Sequence, residues 1–172
     1  SWQSYSSNIE NAFTTCMDID KNGKIIVGTN KGLLVFDGDI WVQYSKTNSD
    51  LPDNLIMSIA IDSLNNYWIG TYEGGLVKFD GNIWQIYDEN NSGLSEHTVK
   101  AISIDQTDNK WIGTMSKGLA KFDNSSWELY DSENSGLTDN NINEIAIDKL
   151  GNIIIGTVSG GLSIYKPGKG RP

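Results

Sequence analysis

The sequence predicts an all-β protein, a β-propeller of four blades with four antiparallel strands in each. Three observations carry that prediction. Gly-Thr recurs at Gly28-Thr29, Gly70-Thr71, Gly113-Thr114 and Gly156-Thr157, with spacings of 42, 43 and 43, and Gly-Leu recurs at Gly32-Leu33, Gly75-Leu76, Gly118-Leu119 and Gly161-Leu162, 43 apart throughout. Repetition at this period is the sequence form of a blade array. Within each repeat, apolar residues alternate with period two between clusters of Gly, Asn and Asp, the pattern of strands joined by hairpins. No window holds apolar residues at helical spacing, so helices should be nearly absent.

The second repeat serves as the specimen. Strand a is read from Ile56 to Asp62, with Met57, Ile59 and Ile61 alternating against Ser58 and Ala60; a turn over Ser63 to Asn66 leads to strand b, Tyr67 to Tyr72. Glu73-Gly74 turns the chain into strand c, Gly75 to Asp80, and Gly81-Asn82 into strand d, Ile83 to Tyr87. Met17 and Ile19, Ile102 and Ile104, and Ile145 and Ile147 match Ile59 and Ile61, while the opposite face of strand a carries Cys16 and Asp18, Ala101 and Ser103, and Glu144 and Ala146. Small residues there let neighbouring blades approach near the axis.

Strand d carries Trp-x-x-Tyr at Trp41/Tyr44, Trp84/Tyr87 and Trp127/Tyr130. The last repeat has Gly170 where its Trp is due, and the missing pattern stands at the other end as Trp2-Gln3-Ser4-Tyr5. The first residues are therefore expected to supply the outer strand of the last blade and close the ring, which removes exposed sheet edges. The boundaries read as one domain over 1–167, with repeats at about 8–45, 51–88, 94–131 and 137–167 plus 1–5, and a tail at 168–172. A four-bladed monomer is the preferred closure. Excision from a longer propeller, or two chains exchanging their first strands into one eight-bladed ring, would leave the same cut point.

Composition narrows the function. A net charge of −9 offers no basic surface for phosphates, so nucleic acid is not an expected partner. No apolar run is long enough to span a bilayer. Cys16 is the single cysteine, which excludes an internal disulfide.

Leu51-Pro52-Asp53-Asn54-Leu55-Ile56, Tyr67-Trp68-Ile69-Gly70-Thr71 and Gly74-Gly75-Leu76 closely resemble the two-component regulator propeller repeat of bacterial sensor proteins. The resemblance implies a sensing propeller, periplasmic or extracellular, such as stands ahead of a membrane span and a histidine kinase and is associated with sensing polysaccharide breakdown products. The chain departs from that setting: it has four repeats, no span and no kinase, Lys24 to Val27 hold no Trp in the first repeat, and Ile154 replaces the Trp in the fourth. Fold by itself does not fix function.

Several motifs have both a chemical and a structural reading. Asp18-Ile19-Asp20-Lys21-Asn22-Gly23 resembles the start of a calcium loop, but no carboxylate stands at Thr29 or Asn30 to finish it. The equivalents Asp62/Asn66, Asp105/Asn109 and Asp148/Asn152 keep only the first Asp and the final Asn, which is what an Asx-type a–b turn needs, so no metal and no cofactor is expected. Trp68 and Trp111 could stack on sugars, yet aliphatic equivalents at Ile26 and Ile154 favour packing between blades. Thr29, Thr71, Thr114 and Thr157 lack an adjacent base, since His97 is the single histidine, and are expected to bond backbone. Asp18 and Glu144 line the expected channel and are the best candidates for a glycosidase-type acid pair.

The b–c and d–a loops should share one face of the disc, and variation against a repeated scaffold is where selectivity would lie. Tyr72, Glu73, His97, Met115 and Lys117 are the candidate ligand-binding residues. The expected function is a non-enzymatic binding or sensing module that recognises a carbohydrate-like ligand or a protein. The alternatives are a structural or assembly propeller within a larger sensor or secreted protein, and a propeller lyase or hydrolase.

Overall fold

The computed structural model describes residues 12–168 and contains fifteen strands and no helix among them. The first sheet is β1 (Thr14–Ile19), β2 (Ile25–Thr29), β3 (Gly32–Phe36) and β4 (Trp41–Tyr44); the second is β5 (Ile56–Ile61), β6 (Tyr67–Thr71), β7 (Leu76–Phe79) and β8 (Trp84–Tyr87). The third is β9 (Val99–Ile104), β10 (Lys110–Thr114), β11 (Leu119–Phe122) and β12 (Trp127–Tyr130), and the fourth is β13 (Ile142–Ile147), β14 (Ile153–Thr157) and β15 (Leu162–Tyr165). Each sheet is an antiparallel meander in chain order. The expected strands are all present in the second repeat, each trimmed by a residue or two where an Asp, Tyr, Gly or Ile belongs to the turn instead.

The a–b turns explain why these hairpins close. Asp62 Oδ1 accepts from the backbone N–H of Leu64 at 2.9 Å and of Asn66 at 2.8 Å, and its Oδ2 accepts from Asn66 Nδ2 at 2.8 Å and Trp68 Nε1 at 2.9 Å. Asp105 repeats the arrangement with Thr107, Asn109 and Trp111. Burial pushes the Asp62 carboxyl up, but these donors outweigh it and hold the group below the usual carboxylate range. Both oxygens of Asp20 are likewise taken, by Asn22 and Lys24 N–H and by Asn65 and Tyr67, so the calcium-like stretch is an Asx turn. Trp68 and Trp111 are 1 % exposed, which settles them as packing residues.

The sheets stack face to face in chain order through three apolar seams. Ile26, Leu33 and Val35 of the first sheet meet Ile56, Ile69, Val77 and Phe79 of the second. Trp68 and Leu76 then meet Val99, Ile112 and Phe122, and Trp111 and Leu119 meet Ile142, Ile145 and Ile155. A register shift falls at the same place in every a–b pair, beside the Gly of Gly-Thr. Such bulges re-aim a side chain. Here the first residue of strand a plugs the preceding sheet: a Cβ on Gly28 would lie 2.7 Å from Ile56 Cγ2, one on Gly70 2.7 Å from Val99 Cγ1, and one on Gly113 2.4 Å from Ile142 Cγ2. Glycine at these positions makes room for the next blade.

Polar clasps complete two seams. Tyr67 Oη donates to Asp20 Oδ2 at 2.9 Å, joining the first and second sheets. Lys110, fully buried, lies 4.9 Å over the Trp68 ring and donates to Asp108 Oδ2 at 2.8 Å and Asn124 Oδ1 at 2.7 Å. Asp108 also accepts from Ser63 N–H at 2.9 Å; burial raises its carboxyl, and the Lys110 ammonium overrides that and brings it to about 2.

One expectation needs correction. The four sheets form no closed ring among the described residues: β1 packs on β5, β5 on β9 and β9 on β13, with no comparable packing of β13 on β1. The fourth sheet has three strands there, the number expected from residues 137–167, and the expected closing strand Trp2–Tyr5 lies outside the described residues. Met17 and Ile19 at one end, and Leu162 and Ile164 at the other, stay 58–71 % exposed.

Candidate functional site

The b–c turns are braced from within. Thr29, Thr71 and Thr114 each donate from Oγ1 to the carbonyl of Gly32, Gly75 and Gly118 at 2.8 Å, and Thr157 to Gly161 at 3.2 Å. The same hydroxyls accept backbone N–H from Lys31, Gly74, Lys117 and Gly160. The repeated threonines are turn braces, as their sequence setting implied.

The residue after each Gly-Thr is pinned to the d–a loop of its own blade. Asn30, Tyr72, Met115 and Val158 donate their N–H to the carbonyls of Phe13, Leu55, Thr98 and Asn141 at 2.9–3.3 Å. In three blades the following N–H is held by a d–a carboxylate: Glu73 by Asp53 at 2.9 Å, Ser116 by Glu96 at 2.7 Å and Ser159 by Asp139 at 2.9 Å. Between blades, Gly32, Gly75 and Gly118 donate to the carbonyls of Asn54, His97 and Asn140 at 2.8–2.9 Å. The b–c and d–a loops therefore do share one face, and backbone bonds hold that face rigid.

From this rim the side chains project. Tyr72 is 39 % exposed, Met115 42 % and Val158 55 %, one per blade at the same repeat position, with Asn30 as the fourth. Glu73 and Lys117 are exposed beside them. His97 replaces a loop clasp: Asn54 and Asn140 accept from the N–H of Lys46 and Ser132, whereas His97 Nε2 lies 3.3 Å from Glu89 Oε1 at the matching position. The structure thus brings the five candidates onto one face. Val158 and the carboxylates Asp53, Glu96 and Asp139 belong with them and were not singled out, although the 43-residue spacing of those acids was visible.

Asp18 lies on the first sheet and Glu144 on the fourth, and Asp18 Oδ1 accepts from Ile19 N–H. Among the described residues no group of three or more His, Cys, Asp or Glu could hold a metal ion. Two clefts flank Tyr165. One of 220 Å³ is lined by Asp105, Trp111, Lys121 and Tyr165 among others, and a smaller apolar one by Tyr130, Leu137, Ile155 and Tyr165. In the first three sheets the matching Phe36, Phe79 and Phe122 stack on Trp41, Trp84 and Trp127 at 4.0–4.8 Å; Tyr165 has no such ring among the described residues.

Meandering four-stranded sheets stacked face to face define the class as β-propeller. The structure is similar to PorZ, a surface component of the type-IX secretion system of Porphyromonas gingivalis, with a TM-score of 0.75 and 24 % identity over 94 % of this chain and 27 % of that one. It is also similar to the extracellular domain of a hybrid two component system of B. thetaiotaomicron, with a TM-score of 0.56 and 22 % identity over 98 % of this chain and 29 % of that one. Virginiamycin B lyase of Staphylococcus aureus, in a catalytically inactive form, matches with a TM-score of 0.71 and 14 % identity over 96 % of this chain and 59 % of the lyase. The chain spans between about a quarter and three fifths of the lengths of these structures. No curated protein matches the sequence. Residues 50–73 match the two component regulator propeller family, so the chain carries that repeat, as its motifs indicated.

Proposed function

We propose that the chain is a non-enzymatic recognition module of the sensor-propeller type, acting outside the cytoplasm and binding a carbohydrate-like ligand through its loop face. The observation that supports this most is the rim of Tyr72, Met115 and Val158, exposed side chains of differing chemistry carried on a repeated, hydrogen-bonded backbone. Tyr72 and Met115 would offer apolar contact to a sugar face, and Glu73, Lys117 and His97 polar contacts around it. A protein partner on the same face is the second form of the reading.

The test is a calorimetric titration with a panel of neutral and acidic oligosaccharides, repeated on a Tyr72→Ala/Met115→Ala variant. Saturable heat with one sugar class, abolished in the variant and without turnover by reducing-end assay, is the expected result. Binding unaffected by the double substitution, or accompanied by cleavage, would overturn the reading.

A further inference from the structure

The three interior seams share their apolar packing, but the polar clasp of the first two is missing from the third. In the first seam Asn65, in left-handed backbone at φ 68°, accepts the N–H of Lys21 from the a–b turn of the preceding sheet at 2.8 Å. In the second seam Asp108, at φ 66°, does the same for Ser63 N–H at 2.9 Å. The matching residue of the third seam is Gly151, at φ 78°. It has no side chain to accept with, and the N–H of Gln106 has no partner among the described residues. A Cβ on Gly151 would meet nothing within 4 Å.

The second half of the clasp is missing as well. Strand b opens with Tyr67 in the second sheet and Lys110 in the third, which reach back to Asp20 and to the Trp68 ring. In the fourth sheet that position is Ile153, buried and without a polar group. Lys121 lies 5.8 Å over Trp111 as Lys78 lies 5.9 Å over Trp68, so the cation absent from the third seam is the counterpart of Lys110. Where both groups are missing stands the 220 Å³ cleft, bordered by Asp105, Gln106, Trp111, Lys121, Gly151 and Tyr165 among others. One water needs only about 10–15 Å³. This cleft is not the room of an outer-strand ring. Trp127 lies against Gly93, and the counterpart of that glycine, Gly136, borders the smaller cleft instead.

The second seam shows which chemistry the place accepts. There a carboxylate and an ammonium stand side by side, with Asp108 Oδ2 2.8 Å from Lys110 Nζ. The other carboxylate oxygen caps the turn N–H; the ammonium lies 4.9 Å over the indole and donates to the Asp108 carbonyl at 2.8 Å. In the third seam the Gly151 carbonyl is the matching acceptor and Trp111 the matching ring. We propose that this cleft binds a free α-amino acid, its carboxylate accepting the Gln106 N–H and its ammonium donating to the Gly151 carbonyl on the Trp111 side. An α-amino acid carries its two charges side by side, as the clasp does, and a partly desolvated ammonium is favoured beside an indole face. The cleft lies among the a–b turns, at the other end of the strands from Tyr72 and Met115, and so is separate from the loop face.

Nuclear magnetic resonance titration of the nitrogen-15-labelled full chain tests this, with glycine as the probe and acetate and methylamine as its two halves. Glycine should shift the Gln106 amide and Trp111 indole signals saturably, and each half should bind more weakly than the whole. Gly151→Asn installs the residue that the first seam uses, at a position with open space, and circular dichroism checks that the β fold is kept. That variant should bind glycine about tenfold more weakly or worse, the loss expected for a charge-assisted hydrogen bond. Tyr72→Ala/Met115→Ala should leave glycine binding unchanged. A lack of saturable shifts with glycine, alanine and lysine alike overturns the proposal. Glycine binding that survives Gly151→Asn overturns it by placing the site elsewhere, and acetate binding as tightly as glycine overturns it in favour of a simple anion site.

Discussion

The interior seams and the end faces are built from the same repeat positions, yet one set is buried and the other is not. Leu76 and Leu162 occupy one position of the repeat; the first is fully buried against Leu94 and Val99, the second is 71 % exposed. Gly70 and Gly156 likewise differ only in what stands over them. The comparison teaches that a blade's sequence specifies a face, and that the neighbour decides what that face contributes to stability. This is the behaviour of quasi-linear repeat arrays, where stability sums over nearest-neighbour interfaces.

The sharpest way to break the comparison is to truncate the same leucine in both places. Leu76→Ala should lose about 2–5 kcal/mol in urea unfolding. Leu162→Ala, measured where the chain is monomeric, should change stability by no more than about 0.5 kcal/mol. Equal losses would mean that the end face is covered. Overpacking gives the next largest effect. Gly70→Val drives a side chain against Ser58 and against both side chain and backbone of Val99, which should cost about 1–3 kcal/mol or more; Gly156→Val in the monomer should leave the thermal midpoint nearly unchanged.

The a–b turns sharpen the comparison through pH. Asp62 and Asp105 have carboxyls held below the ordinary range, so the unfolded chain binds their protons first as pH falls through about 4. Their contribution is therefore complete above that pH and is lost as pH drops through their folded values. Thermal midpoints should fall steeply below pH 4, and Asp62→Asn should flatten that fall while costing about 1.5–3 kcal/mol at neutral pH. A slope unchanged in Asp62→Asn would place the acid lability in other carboxylates. The smallest effect belongs to the rim: Tyr72→Ala should alter stability by under about 0.5 kcal/mol, because its side chain projects from a backbone held by other groups. A larger loss by chemical denaturation would make Tyr72 a structural residue and weaken its place in a binding site.

Much of the architecture was legible because propeller repeats are locally encoded. Strand order, hairpin turns, the bracing role of the four threonines and the burial of Trp68 and Trp111 all follow from residues within a single repeat and its neighbour. The loop face was legible too, since strands that alternate direction must bring the b–c and d–a loops together. What escaped was of longer range. The Tyr67–Asp20 and Lys110–Trp68 clasps join residues 42 to 47 positions apart at places where the repeats differ, so no periodicity announced them. The channel pair of Asp18 and Glu144 presumed a closed ring, a property of the whole array that no single repeat carries.

The sequence by itself determined the blade: its period, its turns, which residues face each neighbour, and the glycines that leave room for the next strand. These depend on contacts repeated every 42 or 43 residues. Only the tertiary structure decided how the blades add up. Curvature per blade is a sum of small displacements at each seam, set by how plugs such as Ile56 and Val99 seat over glycine, and whether four such steps close is a global quantity that no single repeat contains.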